Sequence, residues 1–212
     1  MLRLLHLCDS LFPIGSFGYS DGLEGSIRSR DDVREWLDVC VDETIGRFEG
    51  PIVMRARRAF PDHDTLRMLD EESIAMRPSA SARKASRSMG HRLITTWAQL
   101  YPDPRLAESY SLPVAFGCVC SASDIDARTA VEAFAYTRLA ATVSAAMRLV
   151  PIGQTEAHQL LATALSRVPE LSGTSDTSDA SDTFGTRPES FVPRVDIAQM
   201  SHQYLHSRLF RT

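Results

Sequence analysis

The chain has 212 residues, of which 43% are hydrophobic and 24% charged, and its formal net charge is −4. That length allows one domain, or at most two, with a substantial core, and the acidic balance argues against a nucleic-acid-binding protein. No apolar run reaches the roughly 18 residues that a membrane span needs, and the scattered cysteines are typical of free thiols in a reducing, cytoplasmic compartment.

The first residues are predicted to form a helix of the mature protein. Asp9 interrupts their apolar run and no small-residue cleavage site follows, so a signal peptide is not expected. Residues 11–24, LFPIGSFGYSDGLE, come next, with three glycines and a proline. Such a composition predicts a tight turn between two helices, in which serine and aspartate side chains cap the helix ends.

Helical periodicity dominates the middle of the chain. Residues 31–48 place apolar side chains on one stripe behind an N-cap at Asp31 or Asp32. Gly50-Pro51 is expected to end this helix, with the next one beginning at Pro51. Helices are predicted over 51–60, 64–76, from after Pro78 to about 100, and over 112–122, 126–149 and 154–167. Without alternating strand segments, the pattern predicts an all-α single-domain bundle of about eight to ten helices.

The composition changes sharply at residues 170–187, where Ser, Thr, Asp and Gly dominate. This stretch is predicted to be a flexible linker between an all-α core domain, 1–169, and a C-terminal partner-binding segment, 188–212. The last segment regains apolar and aromatic residues. Its pattern leaves two interpretations open: a tethered recognition tail, or a final helix docked on its own domain.

Two chemical functions remain as alternatives. Ser16 or Ser20 could serve a small α-helical hydrolase, although the G-x-S-x-G pattern is not matched. His202 and His206 are four residues apart, a spacing that places both imidazoles on one helix face and would suit a nickel carrier, although no third ligand is evident. No metal site and no cofactor are assigned.

Other possible sites are excluded by spacing. The only lysine, Lys84, lacks the glycine-rich run of a phosphate-binding loop. Cys118 and Cys120 lie two residues apart in a predicted helix and point to nearly opposite sides, so they are not expected to bind one metal ion together. Gly90 inside a helix costs about 1 kcal/mol relative to alanine, so another backbone is expected to approach it closely.

Four stretches in this order resemble the urease accessory protein UreF: residues 11–24, SRSMGHRL (86–93), LPVAFGCVCSASDI (112–125) leading into RLVPIGQTEAHQLL (148–161), and DIAQMSHQYLHSRLFRT (196–212). The resemblance implies an all-α, non-enzymatic scaffold that forms a homodimer. It would join a complex with the UreD/UreH-type accessory protein and the GTPase UreG, bridge the two and modulate GTP hydrolysis. That complex inserts nickel into apo-urease.

The resemblance also implies which residues bind partners. The tail would bind the UreD/UreH-type scaffold through His202, Tyr204, Arg208, Leu209 and Phe210. The GTPase face and dimer region would involve Tyr19, Asp21, Glu24, Arg87, Met89 and Gly90.

Overall fold

The computed structural model describes residues 1–171 and 188–211, and all regular secondary structure in that part of the chain is helical. The prediction of an all-α domain of eight to ten helices is confirmed. Of the predicted linker, two residues end a helix and 172–187 lie outside the described residues. The helices are α1 (Leu2–Leu7), α2 (Leu23–Ser26), α3 (Arg30–Val39), α4 (Gly50–Ala59), α5 (His63–Ala75), α6 (Ala80–Leu100), α7 (Leu112–Ala122), α8 (Ala127–Leu149), α9 (Gln154–Leu171) and α10 (Pro193–Ser201).

Helix α3 begins slightly earlier than predicted. Its N-cap is Ser29, not Asp31 or Asp32, and the Ser29 hydroxyl accepts a hydrogen bond from the Asp32 amide at 3.3 Å. The Asp32 carboxylate in turn accepts a hydrogen bond from the Ser29 amide at 2.9 Å. A reciprocal capping box satisfies two amides that an aspartate cap alone would leave open, which explains the shift.

The predicted helix break at Gly50-Pro51 is wrong. Residues Cys40–Glu49 form a π-helix that leads without interruption into α4, and Gly50 keeps helical dihedrals. Pro51 falls in the first turn of α4, where a missing N–H is tolerated. Val41 and Ile52, on either side of this junction, are fully buried, so packing outweighs the local breaking tendency.

Helix α7 is buried on nearly all sides and packs against α4 and α6. Gly117 of α7 permits the contact with α4, because a Cβ there would lie 2.6 Å from the Val53 carbonyl oxygen. The expected close approach at Gly90 of α6 is confirmed, since a Cβ there would overlap the Tyr110 carbonyl oxygen. Small residues therefore set the distances between the central helices.

The cysteines are free, as predicted. Cys118 and Cys120 are buried in α7, and burial raises the pKa of the Cys118 thiol to about 12. Within residues 1–171 and 188–211, no helix combines the length and the apolar character needed to cross a bilayer.

Candidate functional site

The turn of residues 11–24 is built around two left-handed glycines. Gly15 has φ +80° and Gly22 has φ +91°, and Asp21 just before Gly22 also has a positive φ of 52°. A Cβ at Gly22 would lie 2.9 Å from the Gln199 amide nitrogen and 3.0 Å from the Ala198 Cβ. Glycine at this position thus serves both the turn and the docking of α10 on it.

Glu24 anchors the C-terminal tail to this turn. Its carboxylate accepts hydrogen bonds from the main-chain amides of Leu209 (2.5 Å) and Phe210 (3.3 Å). It also lies 2.7 Å from His202 Nε2, with the two side chains 9% and 3% exposed. Burial by itself would raise the pKa of Glu24, but the hydrogen bonds from the tail and from His202 outweigh burial and lower the pKa below its usual value.

Arg148 of α8 forms a second attachment for the tail. Its guanidinium carbon lies 3.8 Å from the centre of the Phe17 ring and 4.2 Å from the centre of the Phe210 ring. The same guanidinium donates a hydrogen bond to the Phe17 carbonyl at 3.1 Å, and the Arg211 amide donates to the Gly18 carbonyl at 2.8 Å. We call residues 15–24 together with 198–211 the loop–tail junction.

Asp21 connects the junction to a buried ion-pair network. Its carboxylate lies 2.7 Å from Arg138 of α8, and Arg138 also contacts Glu49 at 3.2 Å. Glu49, which is 2% exposed, pairs in addition with Arg77 at 2.7 Å. Burial would raise the pKa of Glu49, but the charges of Arg138 and Arg77 outweigh burial and lower it. These ion pairs therefore connect the turn, the π-helix and α8 to one another.

The residues that the resemblance implied for the GTPase face and dimer region lie in different environments. Tyr19, Asp21 and Met89 line one small pocket together with Arg138. Glu24 lies at the neighbouring tail contact. Arg87 is exposed on α6, whereas Met89 and Gly90 are buried in the helix packing.

The tail residues likewise divide into anchors and exposed side chains. His202 and Phe210 are buried, so Phe210 packs within its own chain here. Tyr204 is 78% exposed, Leu209 is 61% exposed, and Arg208 is also exposed. Of the two interpretations left open for this segment, the docked helix is the one the structure contains.

The geometry expected for a histidine pair is wrong. Helix α10 ends at Ser201, so His202 and His206 do not share a helix face. His202 turns inward to Glu24, whereas His206 is exposed. Among residues 1–171 and 188–211, no three histidine, cysteine, aspartate or glutamate side chains are grouped to hold a metal ion.

Two histidines that could act as a base for a serine of the turn have other hydrogen-bond partners. His6 is hydrogen-bonded to Tyr101 and His91 to Ser109, each at 2.8 Å. His158, another histidine that could act as a base, is exposed on α9. In the part of the chain that the structure describes, Ser16 makes no hydrogen bond to a histidine, so it has no nucleophile–base pair there.

Sequence reasoning missed Arg138, Arg148 and Glu49. A signal for the first two was available, since they are isolated cations in an alanine-rich helix that must pack closely. Glu49 lies just past an apolar stripe, where a charged residue requires a buried partner.

The sequence model of the UreF family matches residues 27–165. The chain belongs to the UreF family. A urease accessory protein UreF from Lachnoclostridium phytofermentans is 32% identical over 99% of this chain and 97% of its own length. The proteins of the same name from Delftia acidovorans and Azoarcus sp. are 31% and 29% identical, over the whole of this chain and 97% and 95% of their own lengths. The alignments to these relatives, unlike the match to the family model, include both segments of the loop–tail junction.

Proposed function

We propose that the chain is a non-enzymatic urease accessory protein. In this proposal it bridges the UreD/UreH-type scaffold and the UreG GTPase, modulates GTP hydrolysis, and so assists the complex that inserts nickel into apo-urease. Membership of the UreF family and the names of the relatives support this function. Nickel would be cargo of the complex, not a resident cofactor of this chain.

The observation that carries the proposal is the way the tail is held. Glu24 binds the main chain at Leu209 and Phe210, and Phe210 supplies the buried anchor. This leaves Tyr204, Arg208 and Leu209 exposed on an ordered frame. Exposed tyrosine and arginine side chains are enriched in protein-binding hot spots, and Leu209 adds exposed apolar surface beside them, whereas a catalytic site would require a nucleophile and a base in contact.

Self-association and a cytoplasmic location complete the proposal. Met1, Leu2, Leu5, Leu11 and Phe17 are exposed near the N-terminus. Their burial in a homodimer would remove apolar surface from water. The free thiols suit the reducing cytoplasm.

A pair of matched double variants tests the function. Tyr204→Ala/Leu209→Ala removes the two most exposed large apolar side chains of residues 198–211, and Met68→Ala/Leu100→Ala removes two comparably exposed ones elsewhere. The tail variant should co-purify with the UreD/UreH-type scaffold at least about ten-fold less, and should lower urease activity in nickel-supplied cells. The control should do neither. Equal co-purification and equal urease activity for the two variants would contradict the proposal.

A further inference from the structure

The main-chain carbonyl of Arg47 lies close to a change of helical pattern. Arg47 belongs to the π-helix of residues Cys40–Glu49, which continues directly into α4 at Gly50. In an α-helix the carbonyl of residue i accepts a hydrogen bond from the amide of residue i+4. For Arg47 that residue is Pro51, which has no N–H. The sequence itself therefore removes the α-helical donor for this carbonyl.

The C-terminal segment supplies a donor at this carbonyl. The amide of Glu189 donates a hydrogen bond to the Arg47 carbonyl at 2.9 Å. Pro188 and Val192, on either side of Glu189 in the sequence, are buried, whereas Glu189 itself is exposed. The attachment therefore uses the main chain at position 189 and the burial of two neighbouring side chains. We call Arg47 together with residues 188–192 the start anchor.

The first turn of α10 adds a weaker contact. Arg194 lies 3.0 Å from Glu35 of α3, and its guanidinium carbon lies 5.9 Å from the centre of the Trp36 ring. The two charged side chains are 43% and 65% exposed, so solvent screens this ion pair and it adds little to the attachment. The start anchor, with its two buried residues, is therefore the main link between this end of the segment and the core.

The start anchor and the loop–tail junction hold opposite ends of residues 188–211. The start anchor uses a main-chain carbonyl of the π-helix, whereas the junction uses the Glu24 carboxylate of the opening turn. The two anchors share no residue, and α10 connects them. Interactions without a shared partner contribute nearly independently, so one anchor can open while the other stays closed.

We propose that Pro51 keeps the Arg47 carbonyl open for the C-terminal segment, and that residues 188–211 form a strap with two separately releasable anchors. Opening of the loop–tail junction frees Tyr204 and Leu209 while the start anchor still holds the strap. The free end stays tethered within about twenty residues of its docking site, so it returns to its own molecule at a high effective concentration. The partner-facing role of the freed end rests on the proposed function, whereas the two anchors do not.

Hydrogen exchange of the full-length chain tests the start anchor. Glu189→Pro removes the donated N–H, and Glu189→Ala is the matched control that keeps it. The amide of Asp196, which donates to the Val192 carbonyl at 2.9 Å, reports on the first turn of α10. Glu189→Pro should lower the protection of this amide about three- to ten-fold, and Glu189→Ala should leave it unchanged. The Leu209 amide should stay within about two-fold of wild type in both variants.

A second pair of variants tests the role of Pro51. Pro51→Ala adds an N–H four residues after Arg47, and this amide competes with that of Glu189 for the carbonyl. The protection of the Glu189 amide should fall about three- to ten-fold, while α7 keeps its protection because alanine favours a helix more than proline does. Pro113→Ala is the control, since Pro113 is likewise a buried proline in the first turn of a helix. It should leave the Glu189 amide unchanged.

The role assigned to Pro51 would be overturned by unchanged protection of Glu189 in Pro51→Ala, by an equal loss in Pro113→Ala, or by a loss in α7 with Pro51→Ala. Equal exchange in Glu189→Ala and Glu189→Pro would remove the start anchor. Loss of Leu209 protection in Glu189→Pro, or of Glu189 protection in Glu24→Ala, would show one cooperative unit instead of two anchors. Because these measurements contain no partner protein, failure of the anchors and failure of the bridging function are distinguishable.

Discussion

Replacing Glu24 by alanine should release the C-terminal tail from the opening turn. The variant removes the acceptor of the Leu209 and Phe210 amides and the buried partner of His202. Hydrogen bonds to a charged group contribute about 1.5 kcal/mol or more, and a buried donor left unsatisfied costs about 1–3 kcal/mol. Two facts reduce the sum of these contributions: the hydrogen bond to the Phe210 amide is long, and water can reach the exposed Leu209. We therefore expect the free energy of tail docking to fall by about 3 kcal/mol.

Hydrogen exchange of the tail amides measures this loss. About 3 kcal/mol corresponds to a more than ~100-fold loss of protection, because 1.36 kcal/mol is a factor of ten. The effect should be confined to residues 195–211, with the amides of α7 unchanged. Glu24→Gln keeps one acceptor oxygen and should lose less. Unchanged protection in the tail of Glu24→Ala, or an equal loss in α7, would refute the reasoning.

The same assay has a defined dependence on pH. Because the folded-state pKa of Glu24 is lowered, its contribution to tail docking is complete above the ordinary value of 4.5 and is lost as the pH falls through the lowered pKa. Tail protection in the wild type should therefore decrease on acidification through this range. Glu24→Gln, which has no carboxylate to protonate, should show a much smaller decrease.

Two further predictions concern the core and are measured by denaturant unfolding. Gly90→Ala should destabilise the protein by about 2 kcal/mol or more, because the new methyl group overlaps the Tyr110 carbonyl, whereas Gly25→Ala meets nothing within 4 Å and should be nearly neutral. An equal effect of the two glycine substitutions would contradict the packing argument. Glu49→Ala should cost about 3–5 kcal/mol, because it leaves Arg77 without a carboxylate partner beside a buried cavity and leaves Arg138 with Asp21 alone, and the partly exposed Glu132→Ala should cost about 0.5 kcal/mol or less. Comparable midpoints for these two variants would show that the network contributes nothing.

The helices could be predicted from sequence because their signals are local. α5, α7 and α8 begin and end within one or two residues of the predicted bounds, since caps and apolar periodicity lie within each segment. The junction at Gly50 could not be predicted in this way. Whether a glycine–proline pair ends a helix there depends on the burial of Val41 and Ile52, which are side chains that tertiary packing positions.

The candidate site could be predicted only in part, for a similar reason. The turn of residues 11–24 and the tail were identifiable as separate motifs, but nothing in their spacing brings Glu24 to Leu209, which lies 185 positions away. The expected placement of His202 and His206 on one helix face failed because it assumed that α10 continues, whereas His202 turns inward to the Glu24 carboxylate. Contacts between distant segments decide which conspicuous residues hold the fold and which remain exposed.

The anchoring of the tail through its main chain has a consequence for how this surface can diverge. Glu24 recognises amide groups that every residue except proline possesses, so the side chain at Leu209 can change without loosening the attachment. Phe210 has no such freedom, because its ring is stacked on Arg148. The side chain at position 209 could therefore change during evolution as the partner surface changes, while the hydrogen bonds of Glu24 to the tail main chain are kept. Substitutions at Leu209 would thus alter partner specificity, and substitutions at the adjacent Phe210 would alter the attachment of the tail.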